Sequence, residues 1–430
     1  MEKSLKIGIA GLGTVGGGTL SILQNQSEML ESRCGRKLQV VAVSARDANK
    51  KRGFDMGDLR FVANPVDLAN DGDIDVVVEL MGGADGAAKQ LVETALTNGK
   101  SVVTANKALI AHHGIALAKL AEKSGAVLAF EAAVAGGIPI IKTLRDGLAA
   151  NKFSRVIGIL NGTCNYILTS MWETGRSFAE VLKEAQDLGY AEAEPSFDVD
   201  GIDTAHKLAI LTSLAYGCAP SIGDVYAEGI RRVSLRDMQF ADELGYAIKL
   251  LGVAQQTEAG IMQRVHPAMV AKNSMLGTVQ GVYNACLVEG DAVGRIFLEG
   301  RGAGAGPTAS SVVADIMDIA RGVNYKPFSL PVAALSGARF VGMNDLRCSY
   351  YLRLSVVDKS GVLAAVTNIF KDFGISLRSF IQHSYAPNET VQIVLTTHET
   401  SEAAMTAAIA AIAKLDTMRD APYMIRIEGV

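Results

Sequence analysis

The feature that most constrains this chain is six residues long. Gly11-Leu12-Gly13-Thr14-Val15-Gly16 follows directly on the apolar run Leu5–Ala10 and leads into a helical stretch. In a Gly-x-Gly-x-x-Gly turn between strand and helix, each glycine has a physical purpose. The first makes the tight turn, the second admits a pyrophosphate, and the third lets helix and strand pack closely. The helix then offers unpaired N–H groups and its positive dipole end to the phosphates. A glycine-rich turn alone would be weak evidence. Strand, helix and position agree here, so Gly11, Gly13, Thr14, Val15 and Gly16 are candidates for dinucleotide binding.

The surrounding sequence suits that reading. Residues 6–10, 39–44, 74–80, 101–104 and 127–130 are short runs rich in Val, Ile and Ala, as in a parallel sheet covered on both faces. Helical stretches at 87–98 and 114–124 separate them, with Gly99 and Gly125 as stops. This is a Rossmann-type, doubly wound α/β pattern. From about residue 131 the pattern changes. Strands at 156–160, 263–270, 281–289 and 295–298 bracket helices at 178–188 and 203–216, an α+β domain for substrate and dimerisation. A helix at 308–321 returns to the first unit. The C-terminal stretch runs strand, helix, strand, strand, helix, strand, a ferredoxin-like order. The expected domains are 1–131 with about 305–325, then 132–304, a connector at 326–348, and 349–430.

Bulk properties exclude other classes. Lys plus Arg number 41 against 45 Asp plus Glu, so no charge excess calls for nucleic acid or an anionic membrane. No apolar run reaches the ~20 residues of a bilayer span, and residues 5–10 are too short for a signal-peptide core. The five cysteines are scattered without a Cys-x-x-Cys pair, which points to reduced thiols and a cytoplasmic location.

Cofactor choice is written at the end of the second strand, where NAD sites place an acid for the ribose hydroxyls. This chain has Arg46 there, followed by Asp47 and by Lys50, Lys51 and Arg52. Arg46 suits a 2′-phosphate and favours NADP(H). Asp47, one position late, leaves NAD(H) open. For Lys50, Lys51 and Arg52 a solvated basic loop competes.

A second cluster carries chemistry. In the segment from Glu192 through Asp198 to Asp203 and Lys207, the last two lie four apart on a predicted helix and face the same way. The carboxylates form a receptor for a substrate ammonium, and the lysine beside them can supply a proton. The bland alternative is a surface ion pair, which the apolar run after Lys207 opposes.

Four further segments, in order and spacing, make the chain resemble homoserine dehydrogenases: Thr104-Ala105-Asn106-Lys107, Phe130-Glu131 through Ile138-Pro139, Asn161-Gly162-Thr163-Cys164-Asn165-Tyr166, and Gly189-Tyr190 through Lys207. The resemblance runs from the glycine motif to about Arg321. It implies reduction of L-aspartate 4-semialdehyde to L-homoserine, with Lys207 as proton donor and Lys107 beside nicotinamide and substrate. It also implies that Glu192 and Asp203 bind homoserine with Asp198 nearby, and that Thr104, Gly189 and Gly306 contact cofactor or substrate. Glu131 and the carbonyls of Val134, Gly136 and Ile138 would hold a structural sodium ion; from the residues alone, this is a loop with one buried acid. His206 reads as packing, and His112-His113 as a pair at a helix edge without a third ligand.

The segment from Val356 through Asp358-Lys359-Ser360-Gly361 to Ser376 resembles the ACT module, which binds amino acids at strand–helix loops. The resemblance implies L-threonine as effector and a homodimer or homotetramer, with dimerisation alone as the alternative role. Two rivals stand beside the main reading: a semialdehyde dehydrogenase using Cys164 as nucleophile, and an amino-acid sensor that has lost catalysis.

Overall fold

A computed structural model describes residues 3–47, 50, 59–383 and 389–429. Six strands form the first sheet: β1 (Leu5–Ala10), β2 (Leu38–Ser44), β3 (Arg60–Phe61), β4 (Val76–Glu79), β5 (Ser101–Thr104) and β6 (Leu128–Ala129). All pairs are parallel and the order is β3-β2-β1-β4-β5-β6, the doubly wound arrangement expected. Register aligns Ala10 with Ser44 and Glu79, and Glu79 with Thr104. Four strand ends therefore form one row, at the point where the strand order reverses and a crevice opens.

The helix after β5 begins at Lys107, seven residues before the expected start at 114. Asn106 is the reason: its side-chain oxygen accepts from the Leu109 N–H at 3.0 Å and caps the first turn. Lys107 thus opens a helix, and His112 and His113 lie within the helix instead of at its edge.

The second sheet holds β7 (Phe153–Ile159), β8 (Val225–Ala227), β9 (Tyr246–Thr257), β10 (Gly260–Ala271), β11 (Tyr283–Gly290), β12 (Gly294–Arg301), β13 (Arg347–Val357), β14 (Leu377–Ile381), β15 (Thr390–Thr397), β16 (Thr400–Ser401) and β17 (Tyr423–Ile427). Its path is β12-β11-β7-β9-β10-β17-β13-β15-β14. The ferredoxin-like order of the C-terminal strands is present, but they do not form a sheet of their own. β17 lies parallel to β10, pairing Arg426 with Ala268 and Ile427 with Met269, so substrate and C-terminal units share one sheet. The long strand β9 is an element that sequence reading lacked.

The helix Ile202–Tyr216 lies against this sheet. Every residue from Asp203 to Leu214 is buried. A helix apolar nearly all round belongs inside, so its charged residues, Asp203 and Lys207, are buried with it. Helix Ala305–Ala320 packs on helix Thr14–Asn25, sharing the core of Leu20, Leu23, Val312 and Ile316. Gly18 allows the contact, since a Cβ there would stand 2.5 Å from the Ala305 carbonyl oxygen. Among the described residues no helix is long and apolar enough to cross a membrane.

Candidate active site

The phosphate end of the crevice is built by backbone. Gly11 has φ +100° and a Cβ there would lie 2.5 Å from the Leu80 carbonyl oxygen; one on Gly16 would lie 1.9 Å from that of Gly11. Above Gly13 the space is open. Helix Thr14–Asn25 has no side-chain cap and no acid in its first turn, so its leading N–H groups, including those of Thr14 and Val15, suit a phosphate. The residues fit a dinucleotide. Arg46 is exposed just past β2. Lys51 and Arg52 lie outside the described residues. Gly306 is exposed in the first, uncapped turn of helix Ala305–Ala320. Thr104 is fully buried at the end of β5; its hydroxyl donates to Glu79 at 2.6 Å and accepts from the Asn106 N–H. Gly189 ends helix Phe178–Asp187 with φ +74°, exposed at the rim.

At the centre stands Asp203. One carboxylate oxygen meets Lys107 Nζ at 2.9 Å and the other meets Lys207 Nζ at 2.7 Å. Lys107 comes from the first sheet's side and Asp203 from the second unit, so the ion pair spans the crevice. Lys207 also donates to the Leu160 carbonyl at 2.7 Å. Burial opposes ionisation of Asp203, but Lys207 and Lys107 hold its carboxyl well below the usual range. Burial likewise opposes the Lys107 charge, yet Asp203, then Asp198 and Glu192, raise its pKa. Burial raises the Asp198 carboxyl, against a hydrogen bond from Asn161. Glu192 is exposed near Lys107, and Asp198 sits on the short helix Ser196–Val199.

Asn161 had no assigned role in the sequence reading. Its Nδ2 donates to Asp198 at 2.7 Å and to Asp203 at 2.8 Å, while Oδ1 accepts from the Cys164 N–H at 2.8 Å. The signal was present, because an Asn before Gly-Thr-Cys is a helix-start residue. Cys164 is no nucleophile: it is fully buried, its Sγ donates to the Asp198 carbonyl, and burial pushes its thiol well above the ordinary value. His206 packs edge-on against His112 and Phe197 at 5.1 and 5.3 Å between ring centroids.

A second oxygen-rich turn lies behind the crevice. Glu131, only 2 % exposed, accepts from the N–H groups of Ile141 and Lys142 at 2.9 and 2.8 Å. Burial and the neighbouring Asp315 push its carboxyl up to about 7. The turn that follows holds Ala135 and Gly136 at φ 53° and 46°, and carries Val134 and Ile138, both buried. A buried carboxylate short of positive charge, beside a turn of main-chain carbonyls, fits a hard cation.

Comparisons with known proteins identify the family. The profile described as homoserine dehydrogenase matches residues 139–317, that described as homoserine dehydrogenase, NAD binding domain, matches 11–131, and the ACT domain profile matches 350–417. A homoserine dehydrogenase of Pseudomonas aeruginosa is 46% identical over 433 residues, covering 99% of each chain. One of Neisseria gonorrhoeae is 44% identical over 434 residues, covering 100% of this chain and 99% of its own. The crystal structure of a homoserine dehydrogenase from Thiobacillus denitrificans superposes with TM-score 0.94 at 45% identity, covering 99% of this chain and 98% of that one. A hyperthermophilic archaeal homoserine dehydrogenase in complex with NADPH gives 0.63 at 29% identity, covering 74% and 97%. The chain belongs to the homoserine dehydrogenase family, as an NAD(P)-dependent oxidoreductase with a C-terminal ACT domain.

Proposed function

We propose that the crevice reduces L-aspartate 4-semialdehyde reversibly to L-homoserine, with Lys207 as the proton donor. The observation that carries this is Asp203 joining Lys107 and Lys207 across the crevice. A bound nicotinamide supplies hydride to the aldehyde carbon, and the oxygen left behind needs a proton. An ammonium has three donors. Lys207 uses two of them, on Leu160 and Asp203, leaving one for the substrate oxygen. Lys107 orients the same oxygen. Glu192, Asp198 and Asp203 receive the substrate's ammonium group. The test is the Lys207 substitution argued in the Discussion.

NADP(H) is the preferred cofactor in this reading, on the strength of Arg46, and NAD(H) remains usable. Gly11, Gly13, Thr14, Val15, Gly16, Thr104, Gly189 and Gly306 line its path, and residues 1–131 with 305–325 form its domain. Arg46→Ala is expected to raise KM for NADPH by ~10-fold or more, the worth of one charge-assisted hydrogen bond, and to leave that for NADH within ~2-fold. Equal changes for both cofactors would remove Arg46 from the choice.

Glu131, with the carbonyls of Val134, Gly136 and Ile138, holds a structural sodium ion in the same reading. The folded carboxyl titrates at about 7, above its ordinary 4.5. Without a cation, ionising it therefore costs stability as pH rises between those values. Sodium competes with the proton. Sodium chloride, against choline chloride, is expected to raise the melting temperature at pH 8 and much less at pH 6. An equal response at both pH values speaks against the site.

The ACT domain is a regulatory unit, and we assign L-threonine as its effector. Support comes from a cavity of about 160 Å³ beside the Asp358-Lys359-Ser360-Gly361 turn, lined also by Gln382. Gly361, at φ +93°, starts helix Val362–Asp372 there, and its N–H groups suit a carboxylate. Inhibition by L-threonine in the same assay checks this, and an unchanged rate overturns it. A homodimer or homotetramer belongs to the reading, supported by β14, a sheet-edge strand carrying exposed Phe380; a solution mass of one chain would exclude it. The five cysteines are all free thiols, in keeping with a cytoplasmic location.

A further inference from the structure

We propose that Asn161 is a positioning residue of the reaction, a neutral clamp that fixes Asp198 and Asp203 relative to each other for the substrate's ammonium group. The inference rests on the reading that these acids bind substrate. The two N–H bonds of one amide are divided between the two carboxylates, at 2.7 and 2.8 Å. The amide itself is 5 % exposed and cannot swing. Its oxygen is held by the Cys164 N–H at 2.8 Å. The backbone behind it is held too, since a Cβ on Gly162 would stand 2.7 Å from the Val282 carbonyl oxygen. The preceding carbonyl, Leu160, is an anchor for Lys207. One short link between β7 and helix Gly162–Thr174 thus sets two substrate acids and the proton donor.

The choice of an amide has an electrostatic reason. Two carboxylates sharing a buried site repel, and a charged side chain would be the stronger remedy. Lys107 and Lys207 already answer Glu192, Asp198 and Asp203, leaving one negative charge in excess for an incoming ammonium. A lysine or arginine at position 161 would cancel that excess. Asn brings the carboxylates together and leaves the charge intact.

The groups facing Asp198 are Asn161, Asp203, Lys207 and Lys107, with Cys164 Sγ on its carbonyl. Among them Asn161 acts to lower the Asp198 carboxyl against burial. Removing the clamp lets Asp198 hold its proton to higher pH, so the acid limb of kcat/KM moves towards alkaline pH.

The experiment compares Asn161→Ser, Asn161→Asp and Asp198→Asn in the full-length enzyme, with KM and kcat measured for L-homoserine and for NADP+ across pH. Ser and Asp both cap helices as Asn does, so a purely structural role would leave the kinetics near those of the parent. The clamp predicts for Asn161→Ser a rise of ~10–100-fold in KM for L-homoserine, an acid limb moved to higher pH, and an unchanged KM for NADP+. Asn161→Asp, which sets a third carboxylate against the two, loses more, and recovers in part as pH falls. It also keeps the test decisive should the serine variant fold poorly. If both Asn161 variants keep the parent's KM while Asp198→Asn raises it, the clamp is wrong and the substrate reading stands. If Asp198→Asn leaves KM unchanged, the substrate reading fails, and the clamp with it, whatever the Asn161 variants do.

Discussion

Lys207→Ala is expected to lower kcat for semialdehyde reduction by ~10²–10⁴-fold, the usual contribution of a positioned general acid, with little effect on NADPH binding. The loss belongs to the chemical step because the rest of the site survives it. Asp203 keeps Lys107 at 2.9 Å and Asn161 at 2.8 Å, so no buried carboxylate is stranded. The glycine turn and Arg46 lie on other elements. Lys207→Arg should fare almost as badly, because a guanidinium holds its proton throughout the working range. The check is NADPH consumption, followed by its absorbance, with L-aspartate 4-semialdehyde. A variant that turns over like its parent would take the proton-donor role from Lys207.

Arg264→Ala is expected to destabilise the protein by ~3 kcal/mol, the low end of the cost of breaking a buried ion pair, because Glu428 keeps His266 at 3.5 Å and Arg155 at 3.9 Å. Arg264 and Glu428 meet at 2.8 Å with side chains 2 % and 4 % exposed, where β10 and β17 join the two units. Burial opposes ionisation of Glu428, but Arg264 and then His266 hold its carboxyl well below the usual range. A depressed folded pKa stabilises above the unfolded value of ~4.3 and the benefit is lost as pH falls through the folded one. The parent should therefore exceed the variant most at neutral pH, and the gap should narrow under acid. Guanidinium midpoints read through Trp172, the single tryptophan, on helix Gly162–Thr174 of the substrate unit, measure it. A chain of this size can unfold in more than one step, so the shift is judged on that local transition. A midpoint like the parent's at pH 7 would mean that the junction contributes nothing.

What the sequence revealed depended on how local the cause was. The glycine turn, the strands β1, β2 and β5, and the Asp203–Lys207 face are set by residues within a few positions of each other, and all were legible. β9 was not. Although Gly245 and Gly260 bound it, its run of Ile248, Leu250, Leu251 and Val253 has no alternation to tell strand from helix. The early start of the helix at Lys107 was legible in principle through Asn106, a residue type that caps helix starts. Asn161 was visible as part of a motif, while its role depends on acids 37 and 42 residues away. The shared sheet was beyond reach altogether, since it turns on Ala268 meeting Arg426.

That pairing has a consequence for how the molecule is made. β10 is synthesised about 150 residues before β17, which at ~5–20 residues per second leaves it waiting roughly 8–30 s for its neighbour. Throughout that interval part of its edge offers unpaired N–H and C=O groups, a template for any other extended chain nearby. Inward-pointing charges are a recognised defence of such edges, and β10 carries Arg264 on the face that is later buried. Arg264, the half of the ion pair that is made first, thus places a charge at that open strand until β17 and Glu428 arrive to cover it.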